Sequence, residues 1–374
     1  MANEKATNSY PQSERQRKLQ QVSFLPSTIL SRDLPRDTVL KSLQIRLSGN
    51  VITTFASGTP VADAMSTIDD LIPRIDVVIN GSRVVKSVRP HMMRMQQLFT
   101  NSILGERRSS AAATAATDNF PLTDGGFVYG TTGQISTAAE TIWLSFEMTY
   151  AEVGLGREST WLNLKGVASA EIRFTTNSFS SLLGFGNTTP VVYTSNNFVI
   201  DILTTEASDV PPTIIFSDWK QTLKQVSYSA QQTNALIDIN RGNRLSGVMF
   251  FTQDGAAGSA TTATGTIPNN LVLTSIQLLI NGQTQVKTTD FKSLQAENKA
   301  RYGINSPVAS SVSLIDGVAY LNFLARKDLS TALPVRPPQV DQVQLVVNTN
   351  TSANCSYTNP VTISVMTEEV VEPR

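Results

Sequence analysis

Two stretches of the sequence, Ile75–Lys86 (IDVVINGSRVVK) and Ile276–Lys287 (IQLLINGQTQVK), follow the same pattern. Each begins with apolar residues, turns at Asn-Gly and ends in Val-Lys. Asn-Gly between apolar runs is a strong signal for a two-residue hairpin, because both residues tolerate the positive φ that the turn requires. The sequence therefore predicts one β-hairpin at matching places in two halves of the chain.

Five further short anchors recur in the same order in both halves. A single match of this length can arise by chance, whereas six matches in the same order indicate duplication of a fold unit. Two copies of a large unit are not a solenoid of many short repeats, so the chain is predicted to be two like domains fused. The paired anchors are Gln21–Phe24 with Gln225–Tyr228, Arg46–Gly49 with Arg244–Gly247, Trp143–Phe146 with Tyr320–Phe323, Ile172–Asn177 with Leu345–Asn350, and Ile200–Thr204 with Ile363–Thr367.

Most of the remaining sequence alternates apolar and polar residues with a period of two, which is typical of strands with one buried face. About eight strands, one clear helix and long loops in each half predict an all-β fold. We expect two tandem eight-stranded jelly-roll β-sandwiches with short helices in the loops. The predicted boundaries are 1–18 for an N-terminal arm, 19–207 for the first jelly roll, 208–218 for a linker and 219–374 for the second jelly roll.

Two segments that follow the hairpins are predicted to be helical. They are Pro90–Leu104 and Asp290–Tyr302, and Asp290 is the predicted N-cap of the second. A group of methionines in the first helix is expected to fill the core rather than to bind a partner. A further short helix is predicted over Ser13–Gln21.

The charge and cysteine content limits the classes of function. Charged residues make up 16% of the 374 residues, against about 25% in an average soluble domain. This low value fits an outer surface buried in an assembly, and it fits equally a Ser/Thr/Asn-rich β protein. The net charge of zero gives no indication of a nucleic-acid groove. The single cysteine, Cys355, excludes an intramolecular disulfide, and no apolar run approaches the length of a membrane span. The polar start predicts synthesis in a cytosol without a secretory signal.

Residues for metal or covalent chemistry are scarce. His91 is the only histidine, whereas the metal sites of jelly-roll enzymes need several imidazoles, so His91 is expected to be structural. The pair Asp69-Asp70 is interpreted as a solvated loop, with a calcium site as the weaker alternative. The pair Glu368-Glu369 is expected to point to opposite faces of a strand. We predict no catalytic residue, no metal and no cofactor, although paired acids for glycoside hydrolysis stay open because their separation is three-dimensional.

The duplicated hairpin and helix, Ile75–Leu104 and Ile276–Tyr302, resemble the strand–hairpin–helix run of a known family. It is the double jelly-roll major capsid proteins of tailless icosahedral viruses with an internal membrane, such as corticoviruses and tectiviruses. The resemblance implies a structural protein of a bacteriophage or similar virus, located in the virion capsid shell and synthesised in the host cytoplasm. It further implies a homotrimer that forms pseudo-hexagonal capsomers and tiles an icosahedral shell.

The same resemblance implies partners for the chain. These are neighbouring capsomers, penton or minor capsid proteins and an internal viral membrane, with no sequence-specific nucleic acid. The basic residues of the arm, Arg15, Arg17 and Lys18, are expected to contact anionic lipid or an internal protein, with a disordered solubilising tail as the equal alternative. Candidate intersubunit or exterior loops are 105–140, 153–169 and 252–268.

Two other functions are compatible with a tandem β-sandwich. One is a carbohydrate-binding or receptor-attachment protein, which needs exposed aromatic residues in a loop cluster. Trp143, Trp161 and Trp219 are the candidates for such a platform, although core packing is the usual role of tryptophan. The other is a tandem jelly-roll enzyme that works without histidine, and replacement of His91 and the acidic pairs would test it.

Overall fold

The computed structural model describes residues 14–55, 67–100, 123–128, 135–148, 157–179, 191–207, 210, 214–255, 266–302, 315, 317–324, 331–357 and 360–371. The first half contains β1 (Glu14–Lys18), β2 (Val22–Ser23), β3 (Ile29–Asp33), β4 (Val39–Phe55), α1 (Thr67–Leu71), β5 (Arg74–Ile79), β6 (Arg83–Val88), α2 (Pro90–Thr100), β7 (Thr123–Val128), β8 (Ile135–Ser145), a 3₁₀ turn (Arg157–Thr160), β9 (Leu162–Asn163), β10 (Ala170–Thr175), β11 (Val191–Asn196) and β12 (Val199–Ala207).

The second half repeats this arrangement with shorter connections. It contains β13 (Asp218–Tyr228), β14 (Ala235–Ile239), β15 (Arg244–Gly255), β16 (Thr266–Pro268), β17 (Leu273–Ile280), β18 (Thr284–Thr289), α3 (Phe291–Tyr302), β19 (Val318–Asn322), β20 (Leu333–Pro334), β21 (Val343–Thr349) and β22 (Val361–Val371).

The strand order defines each half as a jelly roll. In the first half the sheets run β1-β12-β4-β8 and β3-β10-β5-β6, and in the second they run β13-β22-β15-β19 and β14-β21-β17-β18. When only these eight strands of each half are numbered along the chain, strands one, eight, three and six form one sheet, and strands two, seven, four and five form the other. This is the jelly-roll order, so the predicted all-β tandem fold is confirmed.

Both predicted hairpins are present, and their asparagines have a second function. Asn80 and Asn281 have φ values of 52° and 53°, and the glycines that follow them are also at positive φ. The side-chain oxygen of Asn80 accepts a hydrogen bond of 2.9 Å from the amide of Ala168. That of Asn281 accepts one of 2.7 Å from the amide of Asp341. Each turn therefore also tethers the loop that enters the neighbouring strand, β10 or β21.

We expect Asn80→Ala and Asn281→Ala to destabilise the protein by similar amounts, about 1–3 kcal/mol each. Each substitution removes the side-chain acceptor that tethers the exposed loop and places a residue that disfavours positive φ in the turn. Urea unfolding at equilibrium measures both effects. A large difference between the two variants would contradict the structural equivalence of the two turns.

The register of pairing corrects one of the repeated anchors. The third strand of each roll, β4 in the first and β15 in the second, contains a β-bulge. In the first roll Leu40 pairs with Glu206 next to the bulge, and in the second Leu245 pairs with Glu369. Leu245 therefore corresponds to Leu40, and the identical Arg46–Gly49 and Arg244–Gly247 lie at different heights of their strands. Their identity is coincidental.

The helices follow the sequence signals in part. Asp290 caps α3, because its carboxylate accepts a hydrogen bond of 2.8 Å from the amide of Ser293. Met92, Met93 and Met95 of α2 are buried in the core, as predicted. The predicted helix over Ser13–Gln21 is wrong, since its residues 14–18 form strand β1.

Candidate functional site: the joint between the two rolls

The two rolls are joined edge to edge by their backbones. Strand β6 of the first roll runs parallel to β13 of the second, with Lys86 opposite Gln221. This contact links one sheet from each roll into a ten-stranded sheet. At the exposed end of the joint, Arg83 forms an ion pair with Asp218.

Helix α2 of the first roll covers the outer face of the second roll. The ring of His91 lies 4.5 Å from that of Phe251. Six buried second-roll residues belong to the same apolar cluster as the core of the first roll: Met249, Phe251, Ile315, Val318, Tyr320 and Met366. The joint is therefore a packed interface rather than a hinge between separate domains.

A buried ion pair lies under this helix. The carboxylate of Asp69 is fully buried and accepts bonds of 2.8 and 3.0 Å from the guanidinium of Arg89. Arg89 also donates a bond of 2.6 Å to Gln253 of the second roll. Asp69 further accepts the backbone amide of His91, at 2.8 Å. The interpretation of Asp69 as part of a solvated loop is wrong, because Arg89 compensates its charge inside the protein.

A second buried polar group, the seam cluster, consists of Lys86, Gln96, Gln221, Tyr320 and Glu368. The hydroxyl of Tyr320 donates to Glu368 over 3.0 Å. The amide of Gln96 also donates to Glu368, and the amide of Gln221 donates to Gln96 over 3.0 Å. Residues of both rolls thus meet in one hydrogen-bonded group. The predicted opposite orientation of Glu368 and its neighbour agrees with their different partners, since Glu369 accepts from Asn243.

The ammonium of Lys86 lies over aromatic rings in this cluster. Its Nζ is 3.8 Å from the ring centroid of Trp219 and 5.5 Å from that of Phe146. Such cation–π contacts stabilise a buried cation. Burial lowers the pKa of Lys86 well below its ordinary value, while Glu368 opposes this shift. Burial raises the pKa of Glu368 to about 7.

The remaining buried charges near α2 lie within the first roll. Arg94 and Glu140 form an ion pair of 3.1 Å, and Glu140 also accepts a hydrogen bond from the amide of Ile68 at 2.7 Å.

Burial lowers the pKa of His91 to about 4, so the imidazole is neutral at neutral pH. The prediction of a structural histidine agrees with this position in the joint.

Lys86, which belongs to a repeated anchor of the sequence, was not predicted as a residue of the joint. The signal was a lysine within the mostly apolar run Val84-Val85-Lys86-Ser87-Val88, because a lysine buried in such a strand needs a group that compensates its charge. Its counterpart Lys287 is partly exposed and pairs with Glu297 at 3.0 Å. The difference arises because a second roll covers β6.

The basic residues Arg15, Arg17 and Lys18 lie in β1, which pairs with β12 along its whole length. Arg17 forms ion pairs with Glu206 at 3.1 Å and with Asp37 at 3.5 Å. Lys18 pairs with Asp201 at 2.9 Å. Residues 14–18 are thus part of the first sheet, and residues 1–13 lie outside the described residues. The domain boundaries themselves stay a prediction.

None of the three candidate tryptophans is exposed, and Trp143 is partly buried. Trp161 and Trp219 are buried, with 2% and 3% of their surface exposed. The ring nitrogen of Trp161 donates to Glu147 over 3.1 Å. The arrangement gives no support to the carbohydrate-binding alternative at these two residues.

Within the described ranges, no group of three or more His, Cys, Asp or Glu side chains is placed to hold a metal ion. No helix among these residues has the length and hydropathy needed to cross a membrane. Large parts of the predicted contact loops, 105–122, 129–134, 153–156 and 256–265, lie outside the described residues, as do residues 208, 209 and 211–213 of the predicted linker.

The fold and its edge-to-edge joint define a double jelly-roll protein, and solved structures of this class match nearly the whole chain. The major capsid protein of STIV, Sulfolobus turreted icosahedral virus, matches with a TM-score of 0.61 and 12% identity, over 96% of this chain and 97% of that chain. The major capsid protein P2 of bacteriophage PM2 matches with a TM-score of 0.55 and 10% identity, over 96% and 98%.

A third match is the PBCV-1 virus capsid, with a TM-score of 0.52 and 12% identity, over 96% of this chain and 94% of that chain. No protein-family model and no curated protein matches the sequence. The chain therefore has the fold of double jelly-roll major capsid proteins, and the predicted resemblance is confirmed at the level of the fold.

Proposed function

We propose that this protein is the major capsid protein of an icosahedral virus. The observation that carries the proposal is the pair of rolls with one strand order, joined edge to edge in a single chain. Its structural relatives are capsid proteins and not enzymes. The protein then functions in the virion shell, without a catalytic centre of its own.

Three copies would supply six similar rolls and thus a pseudo-hexagonal capsomer. Such a capsomer tiles a closed shell, with neighbouring capsomers and penton or minor capsid proteins as partners. Fusion of two rolls allows each roll to diverge, which fits the unequal insertions of the two halves. An obligate assembly of this kind buries large interfaces.

Light scattering after gel filtration tests the trimer. The chain has a mass of 40.6 kDa, so the expected species has about 122 kDa, three times 40.6 kDa. A protein that stays monomeric at high concentration would overturn the proposal of a capsomer.

We further propose that the N-terminal segment faces the shell interior or an internal membrane. Arg15 is exposed on β1 and would contribute positive charge toward anionic lipid or an internal protein, whereas the charges of Arg17 and Lys18 are compensated by acids of the first roll. The deletion should stop at residue 13, because removal of residues 14–18 would delete a strand of the first sheet. We expect trimers to survive deletion of residues 1–13 while particle assembly or membrane association is impaired. Normal particles from this variant would contradict the proposed orientation.

A further inference from the structure

The internal joint uses one edge strand of each roll. The corresponding edge strand of the other roll is, among the described residues, unpaired at its outer side in both cases. Strand β1 ends one sheet, and β18 ends the four-stranded sheet of the second roll. Within the described part of the chain, no strand pairs with the outer edge of either one. Open edges of this kind are available for pairing with another chain.

The two open edges are the counterparts of the two strands that form the internal joint. Lys287 corresponds to Lys86, since each pairs with the residue that lies three positions before the turn asparagine, Leu278 or Val77. Gln16 corresponds to Gln221, since Gln16 pairs with Thr205 and Gln221 with Glu368 at equivalent positions of β12 and β22. The joint thus places a lysine opposite a glutamine, and the open edges carry the same two residue types.

We infer that β18 of one copy pairs in parallel with β1 of a second copy, with Lys287 opposite Gln16. The inference rests on the proposed capsomer and deepens it, because it names the strands that form the contact between subunits. The partner is a second copy of this chain, bound head to tail. Contacts of this type between unlike edges generate a closed ring when the rotation between subunits allows closure.

The side chains at the two edges are complementary in charge. Glu297 of α3 occupies the position of Gln96, which accepts a hydrogen bond from Gln221 in the internal joint. Gln16 of the second copy can donate to Glu297 in the same way. Glu14 occupies the position of Trp219, so a carboxylate faces the ammonium of Lys287 where the internal joint has a cation–π contact. In the single chain Glu14 pairs with Lys41 at 3.0 Å, at the exposed edge.

The surfaces next to the open edges, on α3 and β4, correspond to the surfaces of α2 and β15 that cover each other in the internal joint. Helix α2 is buried at all its described side chains, whereas α3 exposes Lys292 and Ser293. In the register of the strands, Gln44 and Arg46 of β4 occupy the positions that Met249 and Phe251 occupy in β15. These surfaces are more polar than those of the internal joint, as expected for surfaces that are exposed to water before the copies assemble.

Disulfide trapping tests the inference. The variant carries Gln16→Cys and Lys287→Cys, with the buried Cys355 replaced by serine. Neighbouring strands lie about 4.8 Å apart, within the range of Cα separations that a disulfide spans, about 4.4–6.8 Å. We expect mild oxidation to produce covalent trimers on a non-reducing gel, and reduction to release the single chain.

The matched control keeps Gln16→Cys and moves the second cysteine to Leu236, which is 59% exposed on β14, at another open edge. We expect no covalent trimer from this control. Light scattering on the reduced samples separates the two proposals. Trimers of the main variant that fail to crosslink would overturn the pairing of β18 with β1 and leave the capsomer standing, whereas monomers would overturn both.

Discussion

Replacement of Arg89 by methionine is expected to destabilise the protein by about 3–5 kcal/mol. The guanidinium compensates the fully buried carboxylate of Asp69 and donates to Gln253 across the joint. Its removal leaves a buried charge without compensation, which is among the costlier single changes to a protein interior. Equilibrium unfolding in urea measures the loss, as a lower midpoint at an unchanged slope.

Arg83→Met is the matched control for this prediction, because Arg83 also bridges the two rolls, through Asp218. The side chain of Arg83 is 58% exposed, and exposed ion pairs contribute at most about 1 kcal/mol. A loss of 1 kcal/mol or less for Arg89→Met as well would show that Asp69 finds another source of compensation.

Replacement of Glu368 by glutamine is expected to change how stability depends on pH. The ordinary pKa of a glutamate is 4.5, and burial raises that of Glu368 to about 7. The folded state therefore binds this proton more tightly than the unfolded state. The stabilisation is fully present below pH 4.5 and is lost as the pH rises through about 7. The loss amounts to about 3 kcal/mol, since one pKa unit corresponds to about 1.4 kcal/mol.

Unfolding free energies of the two proteins between pH 4 and 8 test this prediction. The wild type should lose stability relative to Glu368→Gln across this window. The ionisable groups facing Glu368 are Lys86 from β6, Tyr320 from β19 and Tyr302 from α3. Because the hydroxyl of Tyr320 lowers the pKa of Glu368, Tyr320→Phe should extend the window to higher pH. Parallel pH profiles for wild type and Glu368→Gln would show that the carboxyl does not titrate in this window.

Structural features that depend only on residues adjacent in the sequence were predictable from the sequence. The Asn-Gly turns follow from the conformational preferences of two residues, and the cap at Asp290 follows from one side chain at the start of a helix. The duplication of the chain predicted two like domains, and the alternation of apolar residues predicted strands. Together these local signals were sufficient for the tandem jelly-roll fold.

The joint could not be predicted in the same way, because its residues are distant in sequence. Asp69 looks like part of a polar loop until Arg89 and the second roll enclose it. Burial of a single charge has a large desolvation free energy. When a cation and a carboxylate are buried together, their mutual attraction offsets part of it. The sequence contains no local sign of which acid meets which base.

Strand β1 shows the same limit at the edge of a sheet. The segment Glu-Arg-Gln-Arg-Lys has no apolar residue and reads as a solvated arm, yet its backbone pairs with β12, more than a hundred residues away. An edge strand is held by backbone hydrogen bonds and needs no apolar side chain. The sequence by itself determined the two rolls, through local turns and periodicity. Only the tertiary structure decided that Lys86 is buried while Lys287 is partly exposed, because one strand edge meets the second roll and the other is open.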